Sequence, residues 1–314
     1  MPQRAPTTFD MFMLIGIAAI WGSSFFVIKI AVTGGLGPLT VAGGRTLLAA
    51  LVLLVYIRIR GHTLPRDLQS WIPLAWIGLF SSAIPFFLIN WAEQELSSGL
   101  TAILMSLSPL FALILSHFLT QGDRFSGFKL AGILLGFSGV LVVIGLDPLS
   151  ELGIRFWAQL ATIIASLCYV ISGIVTMRVR DLPPDVITTG GMIVAAVLTV
   201  PAGLMIEQPW INATGGDAIL AVVYLGIVPT ALAFVLRIRM IVAVGISYFS
   251  FVGYLIPVFG VFWGALFLDE AVTGRSLTAL ALILGGIQLS RLRMDTILRL
   301  LGRPRPDPSA EDPR

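Results

Sequence analysis

GISYFSFVGYLIPVFGVFWGALFLDE, residues 245–270, carries no charged side chain until its last two positions, Asp269 and Glu270. The charge-free part is long enough to cross a bilayer as a helix, which takes roughly 20 apolar residues. Pro257 stands at its middle. A similar stretch lies 148 positions earlier: SSGLTAILMSLSPLFALILSHFLTQGD, residues 97–123, with Pro109 at its middle and Asp123 just past its end. The dipeptides after the two prolines, Leu110-Phe111 and Val258-Phe259, also match. The chain reads as two copies of one membrane unit, organised around two proline-broken helices.

Composition supports that reading. Of 314 residues, 57% are hydrophobic and 12% charged, with a mean hydropathy of +0.95. A soluble domain is about 25% charged. The basic residues lie between apolar spans rather than on one face, so the high pI reflects membrane topology and not nucleic-acid binding. The single cysteine, Cys168, sits in an apolar run and reads as a packed small side chain; no disulfide framework exists. The first 30 residues do not resemble a cleaved signal, being apolar for too long and containing Trp21.

Ten apolar segments follow one another: 11–33, 38–57, 71–91, 97–119, 126–146, 154–177, 186–206, 217–237, 243–268 and 274–292. Each reaches or approaches spanning length. Short connections leave no room for a sizeable soluble domain. Gly132 with Gly136, and Gly260 with Gly264, have the small-xxx-small spacing that lets helices approach closely, read here as packing within the bundle. With the N-terminus inside, sixteen of the twenty Lys and Arg residues fall on the inner side and only Arg155 and Arg275 in outer loops. That bias predicts both termini in the cytoplasm. Residues 295–314 are Pro-rich and charged, the composition of a disordered cytoplasmic tail whose arginines meet the anionic inner leaflet.

Sliding the chain on itself by 148 places Trp21 on Tyr169, Thr40 on Thr188, Gly78 on Gly226, Phe86 on Phe234 and Pro109 on Pro257. After one deletion Asp123 meets Glu270 and Gly139 meets Gly286. Five spans per copy is an odd number, so the second copy enters the membrane inverted. The expected fold is an all-α integral membrane protein of ten transmembrane helices, built from two inverted five-helix repeats, residues 10–146 and 154–293. Inverted repeats mark secondary transporters, with the substrate near the midplane at the repeat interface.

Several residues suit such a site. Pro109 and Pro257 lack an N–H and release the carbonyls of Met105 and Gly253 from helical bonding. Free carbonyls are tolerated in a helix that is buried or lines a wet cavity. Ser106 and Ser108, and Ser250 and Tyr254, lie about one turn before the prolines and suit a polar substrate; a plain packing kink accounts for the same prolines. Trp21 with Ser23 and Ser24, and Tyr169 with Ser172, are matching mid-span groups that fit either a cavity wall or core packing. Phe86, Asn90 and Trp91 extend the set; an amide in hydrocarbon needs partners. Arg45 lies too deep to snorkel easily, with Glu93 or Glu270 as candidate partners in a gate, a static ion pair, or an anchor for a substrate carboxylate. Lys29 is close enough to the outer end to snorkel, and Asp123, Asp269 and Glu270 either gate or mark span ends.

The ordered motifs resemble one family. They are Trp21-Gly22-x-x-Phe25, Arg45, the run WAEQELSSGL from Trp91, S-x-S-P-L-F at 106–111, and GISYFSFVGYLIPVF followed by L-D-E in the second copy. Together they resemble the EamA-type transporters of the drug/metabolite transporter superfamily across residues 10–293; Asp123 stands where that family usually has Glu. The resemblance implies a ten-helix carrier in the cytoplasmic membrane that moves amino acids, other metabolites or drugs, commonly outward.

The expected partners are a small-molecule substrate and the lipid bilayer, with a proton or a counter-substrate as the coupling species; Glu93, Glu95 and Glu270 are the acids within reach of that role. No cofactor, metal or nucleotide motif is expected. An integral membrane enzyme would need a metal cluster or a nucleophile with its base, and His62, His117 and Cys168 do not form one. A sensor would bring a soluble output domain. A channel is the remaining alternative.

Overall fold

A computed structural model describes residues 4–119, 127–144, 153–179, 181–211 and 214–290. Asp123, Arg124 and the tail from 291 lie outside the described residues. Those described are helical, with no strand among them. Seven helical runs are long and apolar enough to cross a membrane: Thr8–Thr33, Pro38–Ile59, Leu68–Ala92, Ser98–Leu115, Ile154–Arg178, Pro184–Ile206 and Gly216–Val244. Gly127–Val142 and Val252–Leu268 are shorter apolar helices.

In chain order the α-helices are α1 (Thr8–Thr33), α2 (Pro38–Ile59), α3 (Leu68–Gly78), α4 (Ile84–Ala92), α5 (Ser98–Met105), α6 (Ser108–Leu119) and α7 (Gly127–Ile144). The second half continues with α8 (Ile154–Arg178), α9 (Pro184–Ile206), α10 (Gly216–Leu225), α11 (Ala233–Val244), α12 (Ile246–Phe249), α13 (Val252–Leu268) and α14 (Gly274–Ser290). Their starts follow from sequence. Thr7 and Asp10 form a reciprocal capping box on α1, with Arg4 bound to the same carboxylate at 2.5 and 2.8 Å. Pro38 and Pro184 open α2 and α9, where the missing N–H costs nothing. Between α11 and α12 the whole connection is Gly245 at φ +89°, a conformation that favours glycine.

Two stretches wind more loosely. Leu79–Ala83, between α3 and α4, and Gly226–Leu232, between α10 and α11, are π-helical. Displaced by 148 positions, the first falls inside the second. A π segment advances its hydrogen bonds to i→i+5 and often marks a functional position. In the second segment the Thr230 hydroxyl donates to the carbonyl of Leu225, five residues back, at 2.7 Å.

The two proline helices differ from one another. Ser106 and Leu107 interrupt the first, and Pro109 is the second residue of α6. In the second, Ser250 and Phe251 make the interruption, and Pro257 lies inside α13. A proline at a helix start fits the geometry; one inside must have its freed carbonyl accommodated by neighbours. At the first break the Ser108 hydroxyl donates to the Met105 carbonyl at 3.0 Å, supplying the donor that Pro109 cannot.

Glycines set how closely helices pair. α7 lies along α14 with Gly132 against the backbone of Gly286 and Ser290, and Gly139 against Ala279 and Ile283. α2 lies along α9 with Gly43 against Thr199 and Val200, and Gly203 against Leu39 and Thr40. Gly260 of α13 meets Ala102 of α5, while Gly264 meets Ser98. Both small-xxx-small pairs thus work inside the bundle. The perimeter is apolar: Leu134, Val197 and Leu220 are each about two-thirds exposed. Such a surface suits lipid, where dispersion and close packing rather than hydrophobic exclusion hold helices together.

Polar side chains bind helix ends across long sequence separations. The Glu207 carboxylate accepts from the backbone N–H groups of Leu39 and Thr40, at 2.8 and 2.7 Å, closing the start of α2. At the other end of the same helix pair, His62 Nδ1 lies 2.9 Å from an oxygen of Asp185, at the start of α9.

Gly286→Val places a branched side chain against the backbone of α7 and lowers thermal stability in detergent by about 1–3 kcal/mol. Gly173→Ala, where a Cβ meets only open space, is neutral or gains about 0.5–1 kcal/mol in a helix interior. Glu207→Ala removes a carboxylate cap and costs about 1–2 kcal/mol, read from the same melting curves.

Candidate functional site

The residues proposed from sequence separate into two groups. The first gathers around Arg45, from α2, which is 6% exposed. Its guanidinium carbon sits 3.9 Å from the centroid of the buried Phe86 ring, from α4. Its Nε donates to the Thr230 hydroxyl at 2.7 Å, from the second π segment. Among the described residues, its Nη groups meet no hydrogen-bond acceptor. A desolvated cation on an aromatic face is worth about 2 kcal/mol. That offsets part of the cost of burying the charge and leaves a place for an anion. Tyr169, from α8, faces Arg45 electrostatically, as does Glu93.

Trp21, from α1, joins this group through the π segment. Its indole N–H donates to the Pro229 carbonyl at 2.9 Å, and its ring meets Phe234 and Phe249 edge-on at about 6 Å. The Ser23 hydroxyl lies 2.7 Å from the Tyr224 hydroxyl. Ser24 is buried, and its hydroxyl finds no hydrogen-bond partner among the described residues. Asn90 is fully buried; its amide donates to the Pro38 carbonyl at 2.9 Å, while its oxygen has no partner among the described residues. Helices from both halves of the chain therefore meet around Arg45: Phe86 of α4 and Thr230 of the second π segment touch it, and Trp21 of α1 is tied to that segment through Pro229.

The other candidates make no hydrogen bond to Arg45 among the described residues. Trp91 and Tyr254 pack against the apolar cluster shared by α5, α7 and α14, and the Tyr254 hydroxyl reaches Gln288 at 3.4 Å. The Ser106 hydroxyl bonds the Ile103 carbonyl of its own helix at 2.5 Å. Ser172 is buried in α8, and Ser250 sits at the break before α13.

The charged candidates distribute themselves differently from a simple ion pair. Glu270 does not meet Arg45. Its carboxylate accepts from the backbone N–H of Ser98 at 2.7 Å, from the Ser98 hydroxyl at 3.0 Å and from the backbone N–H of Gly99 at 3.0 Å. It thereby caps α5, whose own N-cap is Ser97. Lys29 donates to the carbonyls of Glu93 and Leu96 at 2.6 and 3.0 Å, neutralising the negative end of α4. Glu93 follows α4 and is fully buried; neither carboxylate oxygen has a hydrogen-bond partner among the described residues.

Sequence reading did not single out Tyr224, Pro229 and Thr230. The signal was present: Tyr224 and Thr230 are the hydroxyl-bearing residues of the segment 217–237, and Pro229 is its one proline. What sequence does not display is the π winding that turns Thr230 and the Pro229 carbonyl toward Arg45 and Trp21.

Comparison with known proteins agrees with this architecture. The EamA-like transporter family matches the chain twice, over residues 8–145 and 156–292. The "Uncharacterized inner membrane transporter YedA" of Escherichia coli strain K12 is 27% identical over 281 residues, covering 89% of each chain. The "Probable amino-acid metabolite efflux pump" of the same strain is 25% identical over 292 residues, covering 90% of this chain and 94% of that one. A crystal structure at 22% identity superposes with a TM-score of 0.64 over 91% of this chain and 98% of its own, a likeness of fold. The chain, matched over both halves, belongs to the EamA-like transporter family.

Proposed function

We propose that this protein is a secondary transporter of the cytoplasmic membrane. It moves a small amphipathic metabolite, an amino acid or related compound or a drug, outward by alternating access. Its working parts are two inverted five-helix repeats, residues 10–146 and 154–293, with both termini cytoplasmic. The observation that carries this reading is the setting of Arg45: a buried cation held by Phe86 from the first half and Thr230 from the second. A buried charge between membrane helices is costly and characteristically functional. The two family matches support the repeat, and the relative named as an amino-acid metabolite efflux pump supports the substrate class and direction.

Helix contacts support alternation as well. α13 packs closely on α1 and α5. With the loops at 93–97 and 269–273 facing outward, this packing closes the outer end.

The test is a thermal-shift panel on the purified protein in detergent, using amino acids, nucleosides, sugars, polyamines and cationic drugs. A ligand at a hundred times its Kd stabilises the folded state by about 2.7 kcal/mol. One class, amino acids foremost, raises Tm, and Arg45→Ala or Trp21→Ala abolishes the shift while Tyr254→Ala retains it. A shift undiminished in folded Arg45→Ala and Trp21→Ala places the site elsewhere.

A further inference from the structure

Glu93 is the one carboxylate among the described residues that is fully buried with both oxygens unpartnered. Three charged groups face it: Glu270, Lys29 and Arg45, with Tyr169 facing Arg45 from α8. Each has its hydrogen bonds directed elsewhere. Lys29 is held by backbone carbonyls of residues 93 and 96, Arg45 Nε by Thr230, and Glu270 by the start of α5. An ionised carboxylate enclosed without a donor is far less tolerable than a neutral acid. Beside it, Glu270 accepts three hydrogen bonds from Ser98 and Gly99, a role that suits the ionised form. The enclosed Glu93 carboxylate and the half-buried Glu270 repel each other when both are ionised. Of the two, Glu270 has three donors and Glu93 has none.

Resting on the transporter reading above, we propose that Glu93 is the proton-binding site of the transport cycle and the trigger of its outer gate. With the outer end open, the Glu93 carboxylate takes a proton from the outer aqueous phase, forming an O–H bond on one oxygen. Neutralised, it no longer repels Glu270. Glu270 then seats on Ser98 and Gly99, drawing α13 onto α5 and closing the outer end. Once the inner end opens, the O–H bond breaks and the proton passes to water of the inner aqueous phase, which restores the repulsion and releases the clasp. Low external pH thus favours the closed outer end, and high pH the open one.

The test uses the full chain in two measurements. Infrared spectra of the wild-type protein at neutral pH show the C=O stretch of a protonated carboxyl group, and Glu93→Gln removes it. An unchanged spectrum in Glu93→Gln overturns the proposal. For the gate, Thr101→Cys in a Cys168→Ser background introduces a thiol one turn below Ser98, at a fully buried position whose hydroxyl bonds only its own helix. An impermeant maleimide is applied from outside to oriented proteoliposomes. The labelling rate, corrected for the same thiol in unfolded protein, rises with pH by up to about tenfold per unit, as one titrating group dictates. Glu93→Gln holds the rate low at every pH, and Glu270→Gln holds it high. A pH dependence that survives Glu93→Gln in folded protein overturns the gate. A thiol protected at every pH while the infrared band persists overturns alternating access, and the coupling with it, but leaves the proton on Glu93.

Discussion

A helix end or a broken turn inside a bilayer has no water to satisfy it, and this constraint organises the polar chemistry of the molecule. Several buried polar side chains near the site are spent on backbone groups of other helices or at helix breaks and ends, while hydroxyls such as Thr46 and Ser106 bond carbonyls of their own helix. Trp21 serves the Pro229 carbonyl, Asn90 the Pro38 carbonyl, and Ser108 the Met105 carbonyl. Lys29 closes the end of α4, Glu207 the start of α2 and Glu270 the start of α5. Against this economy, the buried atoms without a partner among the described residues stand out: the Ser24 and Thr40 hydroxyls, the Asn90 oxygen and both oxygens of Glu93. Atoms left over in a system that satisfies nearly everything else are where a ligand or a proton belongs.

Much of this was legible in the sequence. Apolar runs of spanning length located the helices because lipid permits little else. The offset of 148 pointed to paired positions, and the π segments after Gly78 and from Gly226 fall on that offset. Arg45, Trp21, Phe86 and Asn90 were identifiable because charge, indole and amide are conspicuous in hydrocarbon. What sequence could not supply was partnership. Arg45 looks for a carboxylate on charge alone, whereas the fold gives it Thr230 and a ring face. Nor do the prolines announce their roles: Pro109 opens a helix and Pro257 rides inside one, because the breaks fall at different distances upstream. Tyr254 shares a proline helix with the expected site, yet its rotation about that helix directs it toward α14.

The helix pairs are not equivalent mechanically. α7 and α14 meet through glycines facing glycines, a seam that leaves little room for adjustment. α5 and α13 also meet through small residues, but their association is secured at one end by a carboxylate, a contact that charge can make or unmake.

The pair α2 and α9 is tied at both ends, by Glu207 at the start of α2 and by His62 with Asp185 at the start of α9. A rod fastened top and bottom cannot splay; it can only turn. On the transport reading proposed above, rocking of one half of the molecule against the other would have its fulcrum along this pair. Arg45 projects from α2 itself, close to the axis, where displacement is smallest. A bound molecule anchored there would stay nearly still while the surrounding walls swing past it.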